Sequence, residues 1–121
     1  MNPDLKGILS FGASGPIGAG QAVSDRDKVG KVIVVGTFVP SQGLKLMKAG
    51  AITRGFVWNP IDSGYAMVAL GKALVTGAEI KDGINLPGMG PCQVDVSTHV
   101  IRANRQIDLN PQTIEEWARI I

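Results

Sequence analysis

The sequence predicts an α/β fold with three layers, a mainly parallel sheet flanked by helices. Three observations carry this. Short apolar segments alternate with segments of helical spacing three times in succession. One of them, Val32-Ile33-Val34-Val35, is a continuous β-branched run of the kind found in parallel strands covered on both faces. Helix signals fall between them: Pro40 and Pro60 stand at first helical positions, and Gly50 and Gly77 close the helices that follow. Right-handed crossovers between such strands make the sheet parallel.

Taken in order, residues 5–11 read as a buried strand that ends in a glycine-rich turn. Ser14 is placed to cap a helix over residues 16–28, which Gly18 and Gly20 weaken unless close packing on the sheet requires them. Residues 31–37 are the firmest strand. A short amphipathic helix from Pro40 carries Leu44, Leu46 and Met47, and residues 51–58 form the third strand. Asn59 is an N-cap with Asp62 in the first turn, where the helix dipole favours a carboxylate. The helix it opens runs to about Thr76. Between Tyr65 and Val75 its only charged side chain is Lys72, so it expects cover on several sides.

Proline and glycine then punctuate residues 83–95, which predicts a loop or edge ribbon, with residues 92–96 alternating well enough to pair locally. Residues 101–109 read as a last extended piece. Asn110-Pro111 opens a terminal helix whose Ile114, Trp117, Ala118 and Ile121 share a face. There is no internal repeat and no low-complexity linker.

The 121 residues fit one compact domain, too short for two full lobes, and 45% hydrophobic with 18% charged residues is the balance of a soluble globular fold. Twelve basic residues lie scattered among ten acidic ones, with no run that tracks a phosphate backbone, so nucleic acid is not an expected partner. The single cysteine, Cys92, excludes an internal disulfide and any cysteine-cluster metal site, and reads as a small hydrophobe. Neither a signal peptide nor a run of about 18 apolar residues is present, so a chain made as written is expected in the cytoplasm.

Candidate chemistry is sparse. Gly12, Gly15, Gly18 and Gly20 follow a strand and precede a helix, but without the spacing of a dinucleotide fingerprint, and no Walker-type Gly-Lys-Ser/Thr follows. A tight turn bringing helix and strand together accounts for them equally well. The loop still offers backbone amides at a helix start, near the carboxyl end of a parallel strand. His99 has no cysteine or carboxylate near it in sequence, and Ser10, Ser14 and Ser41 lack a nucleophile-elbow context. Glu115 and Glu116 read as a solvated helix flank. No constellation supports catalysis, and no metal or cofactor is expected. The informative segment is Trp58-Asn59-Pro60-Ile61-Asp62, where a strand ends, an indole follows, and an amide and a carboxylate come within four residues. An aromatic face with directional polar groups is what a sugar needs, although a core Trp58 beside an ordinary helix cap reads as well.

Four segments, Asn2-Pro3-Asp4-Leu5-Lys6-Gly7-Ile8, Val32-Ile33-Val34-Val35-Gly36-Thr37, Lys48-Ala49-Gly50-Ala51-Ile52 and Trp58-Asn59-Pro60-Ile61-Asp62-Ser63-Gly64-Tyr65, carry a resemblance. In order and spacing the chain resembles the second half of type I periplasmic binding proteins of sugar ABC importers, particularly the branch that binds rhamnose and autoinducer-2. The likeness covers residues 2–95, with a looser echo at Asn110-Pro111-Gln112-Thr113-Ile114.

The resemblance implies a periplasmic-binding-protein-like, flavodoxin-like half, non-catalytic, that takes a small sugar and docks on an ABC permease in the periplasm. It implies that residues 1–58 form most of a second lobe and that residues 59–121 carry a hinge crossing with returning helix and strands. By position, the turn Gly12-Ala13-Ser14 and Asp62 match the family's ligand contacts on this half, with Trp58 and Asn59 beside them. Gly12 and Ala13 stand where the family carries polar side chains. An amino-terminal half is expected to be absent, which leaves a truncated, open half-site of low affinity and an uncovered helix over residues 65–75 that favours a homodimer. A sugar-sensing regulatory module without its DNA-binding part, an enzyme or nucleotide binder on the same fold, and an inactive gene remnant are the alternatives.

Overall fold

The three apolar segments expected as strands lie side by side in the structure, a computed structural model that describes residues 2–121. Strands β1 (Gly7–Ser10), β2 (Ile33–Thr37) and β3 (Arg54–Val57) pair in parallel in that spatial order. Helices α1 (Gly15–Asp25) and α2 (Pro40–Lys48) connect them. Successive right-handed crossovers that step the same way put both helices on one face of the sheet, where they touch each other. Val34 and Val57 point into that layer and are buried, with Val23, Met47 and Ile52 packed around them.

Glycines set how close the layers come. A Cβ on Gly20 would lie 2.7 Å from Ile52 Cγ1, so the glycine that weakens α1 as an isolated helix lets it settle against Ile52. Phe38, which follows β2 and is 1% exposed, occupies the space left by Gly43 on α2 and Gly55 on β3; a Cβ on either would overlap its ring.

The chain then leaves this unit and builds a second compact one, Trp58–Gln106. Its helix α3 (Pro60–Val75) begins at the Asn59 cap and ends before Gly77, whose φ of +72° is the left-handed stop that glycine supplies. Two small antiparallel pairs follow: β4 (Asn85–Leu86) with β5 (Gly90–Pro91), and β6 (Gln93–Asp95) with β7 (Val100–Arg102). The ribbon expected over residues 83–95 is thus the β4–β5 pair and the start of the next. Ala66, Leu86 and Cys92 form the centre of this unit's own small core.

Residues 101–109 do not make one extended piece. They divide into β7 in the second unit and β8 (Ile107–Leu109) in the first, which comprises the chain up to Val57 together with Ile107–Ile121. β8 pairs antiparallel with β3, so the sheet is mixed and mainly parallel, as expected. Arg54 of β3 donates from Nε and Nη2 to the two carboxylate oxygens of Asp108 on β8, at 3.0 and 2.6 Å. That fork holds the Asp108 carboxyl below its ordinary range, chiefly through its hydrogen bonds.

The terminal helix α4 (Ile114–Trp117) is shorter than expected and begins after a turn in which Asn110 Oδ1 accepts from the amides of Gln112 and Thr113. It packs on α2, with Ile114 fully buried and Lys48 and Glu115 joined at 3.2 Å. Of the three layers expected, this unit supplies two, a sheet and one helical layer. Its far face stays open: Leu9 and Ile33, on alternate positions from the buried ones, are 62% and 55% exposed.

Candidate functional site

The glycine-rich turn after β1 presents Gly12, Ala13 and Ser14 to solvent, at the carboxyl end of the strand and the amino end of α1. Ser14 stands at the N-cap position with backbone angles of −90° and −19°, which are helical, and its hydroxyl makes no capping bond. The expected cap by the Ser14 side chain is therefore replaced by backbone bonds: the Gly15 amide donates to the Gly12 carbonyl at 2.9 Å, and the Gly18 amide to the Ser14 carbonyl at 3.0 Å. A Cβ on Gly15 would meet the Ser10 hydroxyl, which can rotate away, and would lie 3.0 Å from Ser10 Cβ, while Gly12 has open space around it. Close packing on Ile52 explains Gly20; nothing in the packing explains Gly12 and Gly18. Phe11, at the mouth of the turn, is exposed and inclined against Phe56 with ring centroids 6.4 Å apart.

In the second unit Asn59 and Asp62 are joined by a hydrogen bond, and Trp58 immediately precedes them in the chain. The Trp58 indole is 60% exposed, which overturns the reading of a core tryptophan. Asn59 uses its side chain twice. Its Oδ1 accepts from the Ile61 amide at 3.0 Å, and its Nδ2 donates to Asp62 Oδ2, also at 3.0 Å. The Ser63 hydroxyl closes the turn onto the Asn59 carbonyl at 3.1 Å. This local network follows from the cap that the sequence announces, and it orients the Asp62 carboxylate. Sequence reasoning missed Gly88, whose φ of +73° brings bare backbone against Asp62; a Cβ there would lie 2.6 Å from Asp62 Oδ1. No local signal pairs positions 26 residues apart. Asn59→Ala is expected to cost about 1 kcal/mol, the usual loss of an N-cap, and to free Asp62; denaturation of the variant beside the parent chain measures it.

Two cavities in the same unit contain none of the six residues expected to bind ligand. One of about 190 Å³ is lined by Ala66, Leu70, Leu86, Met89 and Cys92, and another of about 280 Å³ by Leu70, Leu74, Ile80, Val94 and Ile101, with Asp95 and His99 at its edge. Both walls are apolar and offer little to a sugar's hydroxyls. His99 is exposed, in a left-handed turn with φ +55°, and Asp95 spends its carboxylate on the Ser97 and Thr98 amides. Among the described residues no three His, Cys, Asp or Glu side chains group as metal ligands, and no helix is long and apolar enough to cross a membrane.

The first unit's mainly parallel sheet with flanking helices is an architecture that places ligands beyond the carboxyl ends of its strands. The chain belongs to the periplasmic binding protein family, whose domain matches residues 1–79. Its relatives include the D-allose-binding periplasmic protein of Escherichia coli (strain K12), 37% identical over 86 residues, which are 71% of this chain and 26% of that protein. The fold is shared with two solved binding proteins. One is an ABC transporter solute-binding protein from Clostridium phytofermentas with bound L-rhamnose, with a TM-score of 0.79 at 22% identity, covering 99% of this chain and 42% of that one. The other is LsrB from Clostridium saccharobutylicum in complex with AI-2, with a TM-score of 0.76 at 18% identity, covering 94% and 40%. The chain thus spans about a quarter of the D-allose-binding relative and about two-fifths of the solved proteins.

Proposed function

We propose that this chain is a non-catalytic sugar-binding component of an ABC-type carbohydrate or autoinducer-2 import system, periplasmic in its place of work. The first unit stands for most of the family's second lobe, and the two passages of the chain, after Val57 and after Gln106, stand for its hinge crossings. The turn Gly12-Ala13-Ser14 in the first unit and, separately, Trp58, Asn59 and Asp62 in the second are the ligand-binding elements of this reading, and an ABC permease is the membrane partner. The observation that carries the reading is the exposed Trp58 indole followed at once by the Asn59–Asp62 pair, in a chain whose family and 37% identical relative bind solutes in the periplasm. An indole face covers the apolar C–H patch of a pyranose or furanose, and the Asp62 carboxylate, bonded to Asn59 and backed by Gly88, keeps lone pairs for hydroxyls.

Recognition by the turn rests on backbone amides, because Gly12 and Ala13 have no polar side chain to offer. A set of this size leaves much of a sugar in water, so affinity on the order of millimolar is expected for the chain alone, about 4 kcal/mol of binding. Self-association as a homodimer belongs to the same reading.

Thermal melting against pentoses, deoxyhexoses and furanosyl signals at concentrations well above that affinity is the test. One sugar is expected to raise the midpoint, and Trp58→Ala to abolish the rise while leaving the unliganded midpoint in place, since the indole is exposed. A chain whose midpoint no sugar moves does not bind sugar, and the proposal fails.

A further inference from the structure

The Asp62 carboxylate is held from two sides, and the second side is a glycine. On the first, Asn59 Nδ2 donates to Oδ2 at 3.0 Å. On the second lies the β4–β5 turn, where Gly88 has φ +73° and a Cβ built on it would stand 2.6 Å from Cγ and Oδ1 of Asp62 and 2.7 Å from its Cβ. Rotating the Asp62 side chain relieves the first two approaches but not the third, because a Cβ is fixed to the first turn of α3. Any side chain at position 88 therefore has to part the turn from α3 as well as displace the carboxylate.

Turn geometry alone does not account for this contact. Gly30, Gly77 and Gly83 have left-handed backbones too, yet a Cβ on any of them would meet nothing within 4 Å. Nor is the turn free to give way. Leu86, which precedes it, is buried in the second unit's small core. Pro87 and Gly88 take the two central positions, and the Met89 amide closes the turn by donating to the Leu86 carbonyl at 3.0 Å. Arg105, from beyond β7, then ties it down: its Nε donates to the Met89 carbonyl at 3.2 Å. The tie to Met89 fixes the residue next to Gly88, and Gly88 confines Asp62.

We infer that Gly88 is a positioning residue for the Asp62 carboxylate: its bare backbone, fixed by the tie from Arg105, confines the carboxylate to the orientation in which Asn59 holds it. Position 88 thereby sets how strongly Asp62 meets a ligand hydroxyl. That consequence rests on the sugar-binding reading above; the confinement does not.

The two are measured separately. Three-bond couplings to Asp62 Cγ, read by NMR on the labelled full chain without ligand, are expected to report one χ1 rotamer in the parent and an average over rotamers in Gly88→Asn. Asparagine tolerates a left-handed backbone, so this variant keeps the turn and tests the contact. Gly83→Asn, the same change at a left-handed glycine in open space, is expected to leave the couplings as they are. Arg105→Ala removes only an exposed side chain, is expected to shift them in the same direction by a smaller amount, and carries the test should Gly88→Asn not fold. With whichever sugar raises the parent's midpoint, Gly88→Asn is expected to weaken binding ~10-fold, about one hydrogen bond to a charged group. A parent in which Asp62 already averages, or couplings that neither Gly88→Asn nor Arg105→Ala changes, overturns the positioning whether or not sugar binds. Changed couplings with unchanged sugar affinity keep the confinement and overturn its part in binding. A parent that no sugar stabilises overturns the sugar reading and that part with it, while the couplings still decide the confinement.

Discussion

Phe38→Ala is expected to destabilise the first unit by about 3–5 kcal/mol, the cost of emptying a fully buried aromatic site that cannot collapse. The ring is 1% exposed and sits where Gly43 and Gly55 carry no side chain, so its removal leaves a void bounded by backbone on α2 and β3. Backbone in a paired strand does not move in to fill a hole, which puts the loss at the upper end of that range. A domain of this size holds ~5–15 kcal/mol in all, so the variant is expected to lose much of its cooperative denaturant transition near room temperature. A transition shifted by less than about 1 kcal/mol would mean that Phe38 does not hold α2 to β3. The exposed Phe11 is the control: Phe11→Ala leaves no internal void and is expected to move the midpoint little.

Gly36→Val is expected to cost about 3 kcal/mol or more, at or beyond the upper limit of ordinary overpacking. Gly36 lies opposite Ser10 in the β1–β2 register, and a Cβ there would overlap the Ser10 carbonyl and come within 2.7 Å of Pro16 Cγ. A side-chain clash can be relieved by a rotamer change, but this obstacle is main chain, so relief means parting β1 from β2 or lifting α1 off the sheet. Gly18→Ala carries the opposite sign. Gly18 lies within α1 with open space beside it, and alanine there is expected to stabilise by roughly 0.5–1 kcal/mol through helix propensity alone. Measured together by denaturation, the two substitutions separate a glycine that packing requires from one that it does not. Equal effects from the pair would contradict the close approach of α1 to the sheet.

Much of the architecture was legible because its signals are local. The β-branched run at Val32–Val35 marked β2, and Asn59, Pro60 and Gly77 marked both ends of α3 within a residue or two, since caps and stops depend on the backbone of the residue that carries them. The Asn59–Asp62 turn was legible for the same reason: its hydrogen bonds join residues two to four apart. Local reading failed where the conformation the backbone takes, or a residue distant in sequence, decided the matter. Ser14 has the right chemistry for a cap, yet its backbone is already helical, so its hydroxyl is turned away from that role. The near lack of charge on α3 predicted cover on several sides, whereas the structure buries Ala66 and leaves Tyr65, Val68 and Val75 exposed.

What the sequence by itself determined, then, was the set of elements, their right-handed and mainly parallel succession, and the family to which the chain belongs. These rest on periodicity, caps and motif order, which act over a few residues or repeat along the chain. Only the tertiary structure decided that residues 101–109 split between two units, that β8 returns antiparallel to β3 with Arg54 forked onto Asp108, that Phe38 shares one space with Gly43 and Gly55, and that Gly88 lies against Asp62. Each of these joins residues distant in sequence, and a glycine's missing side chain or a strand's direction acquires meaning only from the atoms that occupy the space across from it.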